Sequence, residues 1–329
     1  MIIEVQPVEL WGIIKQVGLA VAGASSLWGL VFSVRKRHQP SPSKISLYTL
    51  LSLCAGGVAA VVGWFGMQLS LNVAWAHEGI TVVPILEEIA NALLLTRPGY
   101  VFWVSLLILG VFGWLRNRER FIQLLSPFYA LHLGLITFLI SLPAWNGFSE
   151  TATQLFYMGH GFHSILTLGS VIVLDFLFLM SLAKPDLRAE LYPIFPFISL
   201  GIWIGLGIDF LSVALIFQEG LALTSKFFFM QTVVGIIIIN GVLLSGPITR
   251  KLLISLKNGR SLLGKRWVFI INVSGTISVS SWLTIAVVDF LEHIEVPYHY
   301  WLAGYVGFVL VAYCLHEIVV KIEPETALE

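Results

Sequence analysis

The sequence predicts an all-α protein, a polytopic bundle of about nine transmembrane helices. Its composition is 57% hydrophobic and only 12% charged, whereas a soluble domain carries about 25% charged residues. Apolar runs recur along the whole chain, and each approaches the roughly 20 residues that a helix needs to cross the hydrocarbon core. Basic residues cluster in every second connection between these runs, which is typical of a multi-pass membrane protein.

The apolar runs divide the chain from one end to the other. The predicted spans cover residues 10–34, 46–71, 98–115, 122–142, 155–181, 193–217, 227–249, 266–289 and 299–320. The first run is too long for a removable signal peptide and no small-residue cleavage site follows it, so we expect it to be retained. The segment 77–97 mixes apolar and acidic residues, which predicts a short interfacial helix on the outer side.

The basic residues orient the bundle. The odd-numbered connections hold nearly all of them: Arg35, Lys36, Arg37, Lys44, Arg116, Arg118, Arg120, Lys184, Arg188, Arg250, Lys251, Lys257, Arg260, Lys265 and Arg266. The even-numbered connections hold only Arg97 and Lys226. Because cytoplasmic loops carry the excess of Lys and Arg, the N-terminus is predicted outside and the C-terminus inside.

Charge and motifs exclude several classes of protein. Lysine plus arginine and aspartate plus glutamate both number 19, so no nucleic-acid partner is expected, and the lipid bilayer is the main one. The sequence contains no GxSxG or HExxH motif and no phosphate-binding loop, so it does not predict an enzyme.

Histidines gather at the predicted outer face. His160 and His163 are three residues apart, so on a helix they share one side. Imidazole together with carboxylate suits zinc or oxidised copper. The sequence therefore predicts a metal site with His160 and His163 as ligands, His299 as the third, and His77 or His293 as the fourth. The alternative is that these histidines are solvated at the interface and bind nothing.

The same histidines allow a haem hypothesis. A haem b needs axial histidines on facing helices, and His163 with His299 would supply them. A second haem is not expected, because His316 lies 17 residues after His299, about 100° away around the helix.

Three charged residues in or at the ends of spans suggest a charge or proton relay: Asp209, Asp175 and Lys226. Intramembrane ionisable residues commonly mark ion pathways. Asp209 is expected either to neutralise charge beneath the histidines or to pair with Lys226 across a hairpin. For Asp175, near the inner end of its span, the alternative is contact with headgroups. These residues support the hypothesis of an ion- or proton-coupled transporter.

Residues 155–320 resemble the copper-resistance D-like membrane proteins and related bacterial families. The resemblance is carried by His163, Gly169 and Asp175 on one helix, by Gly201-Ile202-Trp203-Ile204-Gly205, and by Lys226 with Asn240-Gly241. It implies a helical bundle that handles copper, or haem, at the outer face of a bacterial inner membrane. Spans one to four are not covered, so an accessory subunit that packs against other membrane subunits is the remaining alternative.

Overall fold

The computed structural model describes most of the chain as helix. The described residues are 7–35, 44–77, 110, 121–147, 151–183, 186–217, 224–257, 264–291, 294 and 296–322. Within these ranges the protein is all-helical and has no strand. The predicted all-α class is therefore confirmed for the part of the chain that the structure describes.

The helices follow the apolar runs of the sequence. In order they are α1 (Pro7–Arg35), α2 (Lys44–His77), α3 (Phe121–Gly147), α4 (Thr151–Ser164), a first π-turn (Ile165–Gly169), α5 (Ser170–Ala183), α6 (Asp186–Leu191), a 3-10 turn (Tyr192–Ile194), α7 (Phe195–Phe217), α8 (Ser225–Leu243), a second π-turn (Leu244–Ile248), α9 (Thr249–Lys257), α10 (Lys265–Phe290) and α11 (Tyr298–Ile322).

Seven helical segments of the described residues are long and apolar enough to cross a membrane. They are Pro7–Val34, Tyr48–Ser70, Met158–Phe178, Tyr192–Ala214, Ser225–Ile254, Arg266–Asp289 and Tyr298–Leu315. In hydrocarbon every backbone N–H and C=O must be paired internally, which a helix achieves within one segment. The chain is thus a multi-pass membrane protein in contact with a lipid bilayer.

These seven segments match the first, second and fifth to ninth predicted spans. The fourth predicted span, 122–142, lies within α3 (Phe121–Gly147), whose described side chains form the apolar stretch Leu125–Phe138. The third span, 98–115, and the interfacial segment 77–97 lie outside the described residues, apart from the backbone of residues 77 and 110.

The chain divides into two compact units, and the first comprises Met1–Val173 and Ile204–Glu219. In this unit α1 packs against α2, α3 and the first π-turn. Small residues bring the backbones close: a Cβ added at Gly18 would collide with the backbone N of Ala60, and one at Gly169 with the carbonyl O of Ala20. Such close approach is how helices associate in lipid, where a hydrophobic drive between them is absent.

Hydroxyl groups link the helices of the first unit. Ser25 lies 3.1 Å from Ser52 across α1 and α2, oxygen to oxygen. His132 of α3, only 2% exposed, places its Nδ1 2.9 Å from the Oγ of Ser26. Because Ser26 Oγ donates its hydrogen to the carbonyl of Ala22, it accepts one from His132 Nδ1. His132 is therefore held in one tautomer.

The second unit comprises Leu174–Trp203 and Gly220–Glu329. Here α8, α10 and α11 pack against one another. The Nδ2 of Asn240 donates to the carbonyl of Ser274 at 2.8 Å, and the hydroxyls of Ser281 and Tyr305 lie 2.8 Å apart. The small and hydroxylated face of α10 is thus a packing surface within this unit.

Candidate functional site

The candidate site begins on α4, where two histidines share one side of the helix. The ring centroids of His160 and His163 are 5.7 Å apart, and the ring planes are inclined by 32°. Spacing by three residues produces this arrangement, because each residue turns about 100° around the helix. The His163 side chain is 7% exposed and that of His160 is 29% exposed.

Asp209 of α7 joins the two histidines. Its Oδ1 lies 3.7 Å from Nδ1 of His160 and 3.7 Å from Nε2 of His163. Only 19% of the Asp209 side chain is exposed. A separation of 3.7 Å is longer than a hydrogen bond but within the range of an ion pair. One carboxylate oxygen therefore serves two imidazoles.

The other nitrogen of His163 is tied to the backbone of α7. Its Nδ1 lies 3.2 Å from the carbonyl oxygen of Gly205. A carbonyl oxygen only accepts hydrogen bonds, so this nitrogen carries the hydrogen. The nitrogen that faces Asp209 is then Nε2, which holds either a lone pair or a second proton.

Glycines allow α4 and α7 to approach closely enough for these contacts. A Cβ added at Gly159 would collide with the Oγ of Ser212. A Cβ at Gly205 would lie 2.7 Å from Thr167 Cγ2 and 2.8 Å from Leu166 Cβ. Gly159 of α4 thus lies against α7, and Gly205 of α7 lies against the first π-turn that follows α4.

The first π-turn follows the histidines directly and is anchored by polar groups. Trp28 of α1 donates from Nε1 to the Oγ of Ser170 at 2.8 Å, and Ser170 donates to the carbonyl of Ile165 at 3.2 Å. Thr167 donates to the carbonyl of His163 at 2.7 Å. π-turns leave the usual helical bonding pattern and frequently occur at functional sites. The Trp28 hydrogen bond thus links α1 to the residue that follows the π-turn, and the Thr167 hydrogen bond links the π-turn to the end of α4 that carries His163.

The remaining predicted histidine ligands lie in the second unit or have side chains outside the described residues. His299 is an exposed residue of the second unit, and its ring lies 4.4 Å from that of Tyr300, centroid to centroid. His293 and the side chain of His77 lie outside the described residues. Their predicted roles as third and fourth ligands stay predictions.

Two predicted relay residues lie in the second unit. Lys226 donates from Nζ to the carbonyl oxygens of Asp289 and Leu291, at 3.2 and 3.3 Å. These carbonyls lie at the C-terminal end of α10, where a cation is favourable.

Asp175 has a buried Oδ2 with no hydrogen-bond partner among the described residues, so this oxygen does not reach headgroups. The predicted Asp209–Lys226 pair joins the two units and stays a prediction.

The metal and haem hypotheses gain no support from the described residues. Among them, no group of three or more His, Cys, Asp and Glu side chains is placed to hold a metal ion. The copper, zinc and haem b predictions therefore rest on the sequence alone. Elemental analysis and the visible absorption spectrum of the purified protein test them.

Comparison with known proteins identifies no relative of this chain. No protein-family model, no curated protein and no solved structure matches it. The resemblance to the copper-resistance D-like proteins thus stays an expectation from sequence.

Sequence reasoning missed several parts of this site. It did not identify the carbonyl of Gly205 as the partner of His163, nor Gly159 and Ser212 as the point of closest helix approach. Glycines beside the histidines were the available signal, because small residues mark close helix contacts. The π-turn and its anchor, Trp28, leave no recognisable pattern in a single sequence.

Proposed function

We propose that this chain is a proton-translocating membrane protein of the ion-coupled transporter class. In this proposal the His160–Asp209–His163 cluster binds and releases the transported proton. Asp175, an ionisable residue farther along the same helical segment, is a further relay group. Ionisable side chains within membrane spans are costly and are generally retained for ion or proton pathways.

The observation that carries the proposal is the hydrogen bond from His163 Nδ1 to the carbonyl of Gly205. A neutral imidazole has one N–H, so without a further proton Nε2 would present a lone pair to the Asp209 oxygen 3.7 Å away. Two lone pairs repel. One added proton, on Nε2 or on the carboxyl group, turns the contact into an attraction. The contact between His163 and Asp209 is thus attractive when the cluster holds one extra proton.

His160 is a second residue of the cluster that can bind the proton. Its Nδ1 lies at the same distance from Asp209 Oδ1 as Nε2 of His163 does, and its ring is four times as exposed. The carboxylate attracts a protonated imidazole on either side, so the proton can reside on the buried imidazole or on the more accessible one. Histidine is suited to this step because its unperturbed proton equilibrium lies near neutral pH.

Removing the carboxylate is expected to abolish proton movement. We expect vesicles containing the protein and a pH-sensitive dye to take up protons under a potassium diffusion potential set by valinomycin. Asp209→Asn and His163→Gln should each lower the protein-dependent rate by about tenfold or more, because each removes one partner of the ion pair that holds the proton. His299→Gln, a change at an exposed histidine outside the cluster, should leave the rate unchanged.

A second measurement detects proton binding at His163 directly, without depending on proton flux. Nitrogen-15 histidine spectra of the protein in nanodiscs should show His163 Nδ1 protonated throughout a pH titration, with the change confined to Nε2. Wild-type vesicles no faster than protein-free vesicles would sink the transport proposal. A His163 ring protonated first on Nε2 would sink the assignment of the site.

We also propose the finer topology, nine spans with the N-terminus outside, in a bacterial inner membrane. It is supported by the alternation of basic residues among the connections, and it puts the cluster toward the outer face. In a background without Cys54 and Cys314, His160→Cys should react with an impermeant maleimide on intact cells. Lys251→Cys should react only after permeabilisation. The reverse pattern would overturn this orientation.

A further inference from the structure

The chain between the last turns of α8 and the start of α10 is strongly basic. Residues 249–267 contain six basic side chains and no acidic one: Arg250, Lys251, Lys257, Arg260, Lys265 and Arg266. This stretch connects two membrane-crossing segments, Ser225–Ile254 and Arg266–Asp289, and Arg250, Lys251 and Arg266 lie at their ends.

The helix α9 buries Leu252 and exposes its first two cations. Leu252 is 3% exposed, and α9 packs against the 3-10 turn Tyr192–Ile194 of the same unit. Arg250 and Lys251 are exposed, as is Ile254 four residues after Arg250. The two cations are thus open to the surroundings, beside an exposed apolar side chain.

The second π-turn fixes where α9 begins. It contains Pro247, and Thr249 at its end donates from Oγ1 to the carbonyl of Leu244 at 2.7 Å. The helix therefore continues without a loop from a membrane-crossing segment, Ser225–Ile254. Arg250 and Lys251 are consequently tied to the end of a span and cannot extend far into water.

The start of α10 adds a third exposed cation and an aromatic ring. Lys251 Nζ lies 5.6 Å from the centroid of the Trp267 ring, within the range of a cation–π contact. Arg266, beside Trp267 in sequence, is exposed. None of Arg250, Lys251 and Arg266 forms an ion pair with a carboxylate in the part of the chain that the structure describes.

We propose that Arg250, Lys251 and Arg266 form a binding surface for the phosphate groups of anionic phospholipids. Clusters of four to eight basic residues next to a membrane span typically attract anionic lipid. Arginine binds phosphate through paired N–H groups, and tryptophan prefers the headgroup level. This surface belongs to the second unit and is independent of the proton cluster in the first.

The test compares lipid retention by the full chain and by its variants. Protein is reconstituted in vesicles of equal phosphatidylglycerol and phosphatidylcholine, extracted in mild detergent, and its bound lipid is measured by native mass spectrometry. The wild-type protein should retain more phosphatidylglycerol than phosphatidylcholine. Each cation is worth about fivefold in affinity at low salt, so the triple variant Arg250→Gln, Lys251→Gln, Arg266→Gln should lose at least about tenfold of that preference.

The matched control preserves charge at the same three positions. Arg250→Lys, Lys251→Arg, Arg266→Lys should keep most of the preference, and the three single glutamine variants should each lose part of it if the triple variant does not fold. Retention should fall as salt rises. Equal retention by wild type and the triple glutamine variant, or no preference of wild type for phosphatidylglycerol, would overturn the proposal. So would displacement of the lipid by millimolar glycerol phosphate, which would indicate a site for a soluble phosphate.

Discussion

Replacing Gly18 by alanine is expected to destabilise the protein by about 1–3 kcal/mol, the usual effect of forcing extra atoms into a packed core. A Cβ at this position would collide with the backbone N of Ala60 and lie 2.7 Å from the carbonyl O of Gly56. Both neighbours are backbone atoms of α2, so no side-chain rotation relieves the contact. The helices α1 and α2 would have to separate, and the Ser25–Ser52 contact between them would lengthen.

The measurement is the unfolding midpoint of purified protein, followed by loss of helical circular dichroism on heating. Gly235 of α8 is the matched control, because a Cβ there meets no atom within 4 Å. Gly235→Ala should leave stability unchanged or raise it by up to about 1 kcal/mol, since alanine favours a helix. Equal losses in both variants would show that close backbone packing is not what Gly18 provides.

The same comparison of glycines explains why the helices were predictable and their packing was not. Length and apolarity alone define a span, because lipid demands that every backbone group be paired within the helix. Seven described segments agree with the predicted spans. Which glycine meets a backbone and which meets open space depends on the rotation of each helix, and Gly18 and Gly235 look alike in the sequence.

Part of the candidate site was also predictable. The three-residue spacing of His160 and His163 was sufficient to place both rings on one side of α4, because helix geometry is local. Asp209 lies 46 residues after His163, and its position follows only from the packing of α7 on α4. Sequence reasoning named two partners for Asp209, the histidines and Lys226, and could not choose between them.

Lys226 shows why the choice was difficult. A carboxylate is the obvious partner for an intramembrane lysine, and backbone oxygens are less obvious ones: the Nζ of Lys226 donates to two carbonyl oxygens at the end of α10. Those carbonyls have no partner within the helix and carry partial negative charge. Backbone groups exposed at helix ends compete with side chains for cations, and a sequence does not display them. The carbonyl of Gly205, which holds His163, was missed because backbone acceptors leave no mark in a sequence.

The contact between His163 and Asp209 is expected to be strongly cooperative. Asp209→Asn and His163→Gln each remove one end of it, and the double variant removes both. If the two residues form an ion pair around the bound proton, the sum of the single losses in unfolding free energy should differ from the loss in the double variant by about 1–3 kcal/mol, as for directly interacting residues. The partial burial of both side chains, 7% and 19% exposed, limits screening by water.

The free energy of unfolding is measured in mixed micelles for the wild type, the two single variants and the double variant. A control cycle pairs Asp209→Asn with Ile204→Ala, a change at an exposed side chain one and a half turns earlier on α7, and should be additive within about 0.5 kcal/mol. A third cycle, of Asp209→Asn with His160→Gln, should give a smaller coupling, because His160 is 29% exposed and water replaces more of the lost contact. Additivity in the His163 cycle would mean that the carboxylate and the buried imidazole do not form an ion pair, and the proposed proton site would then lose its central contact.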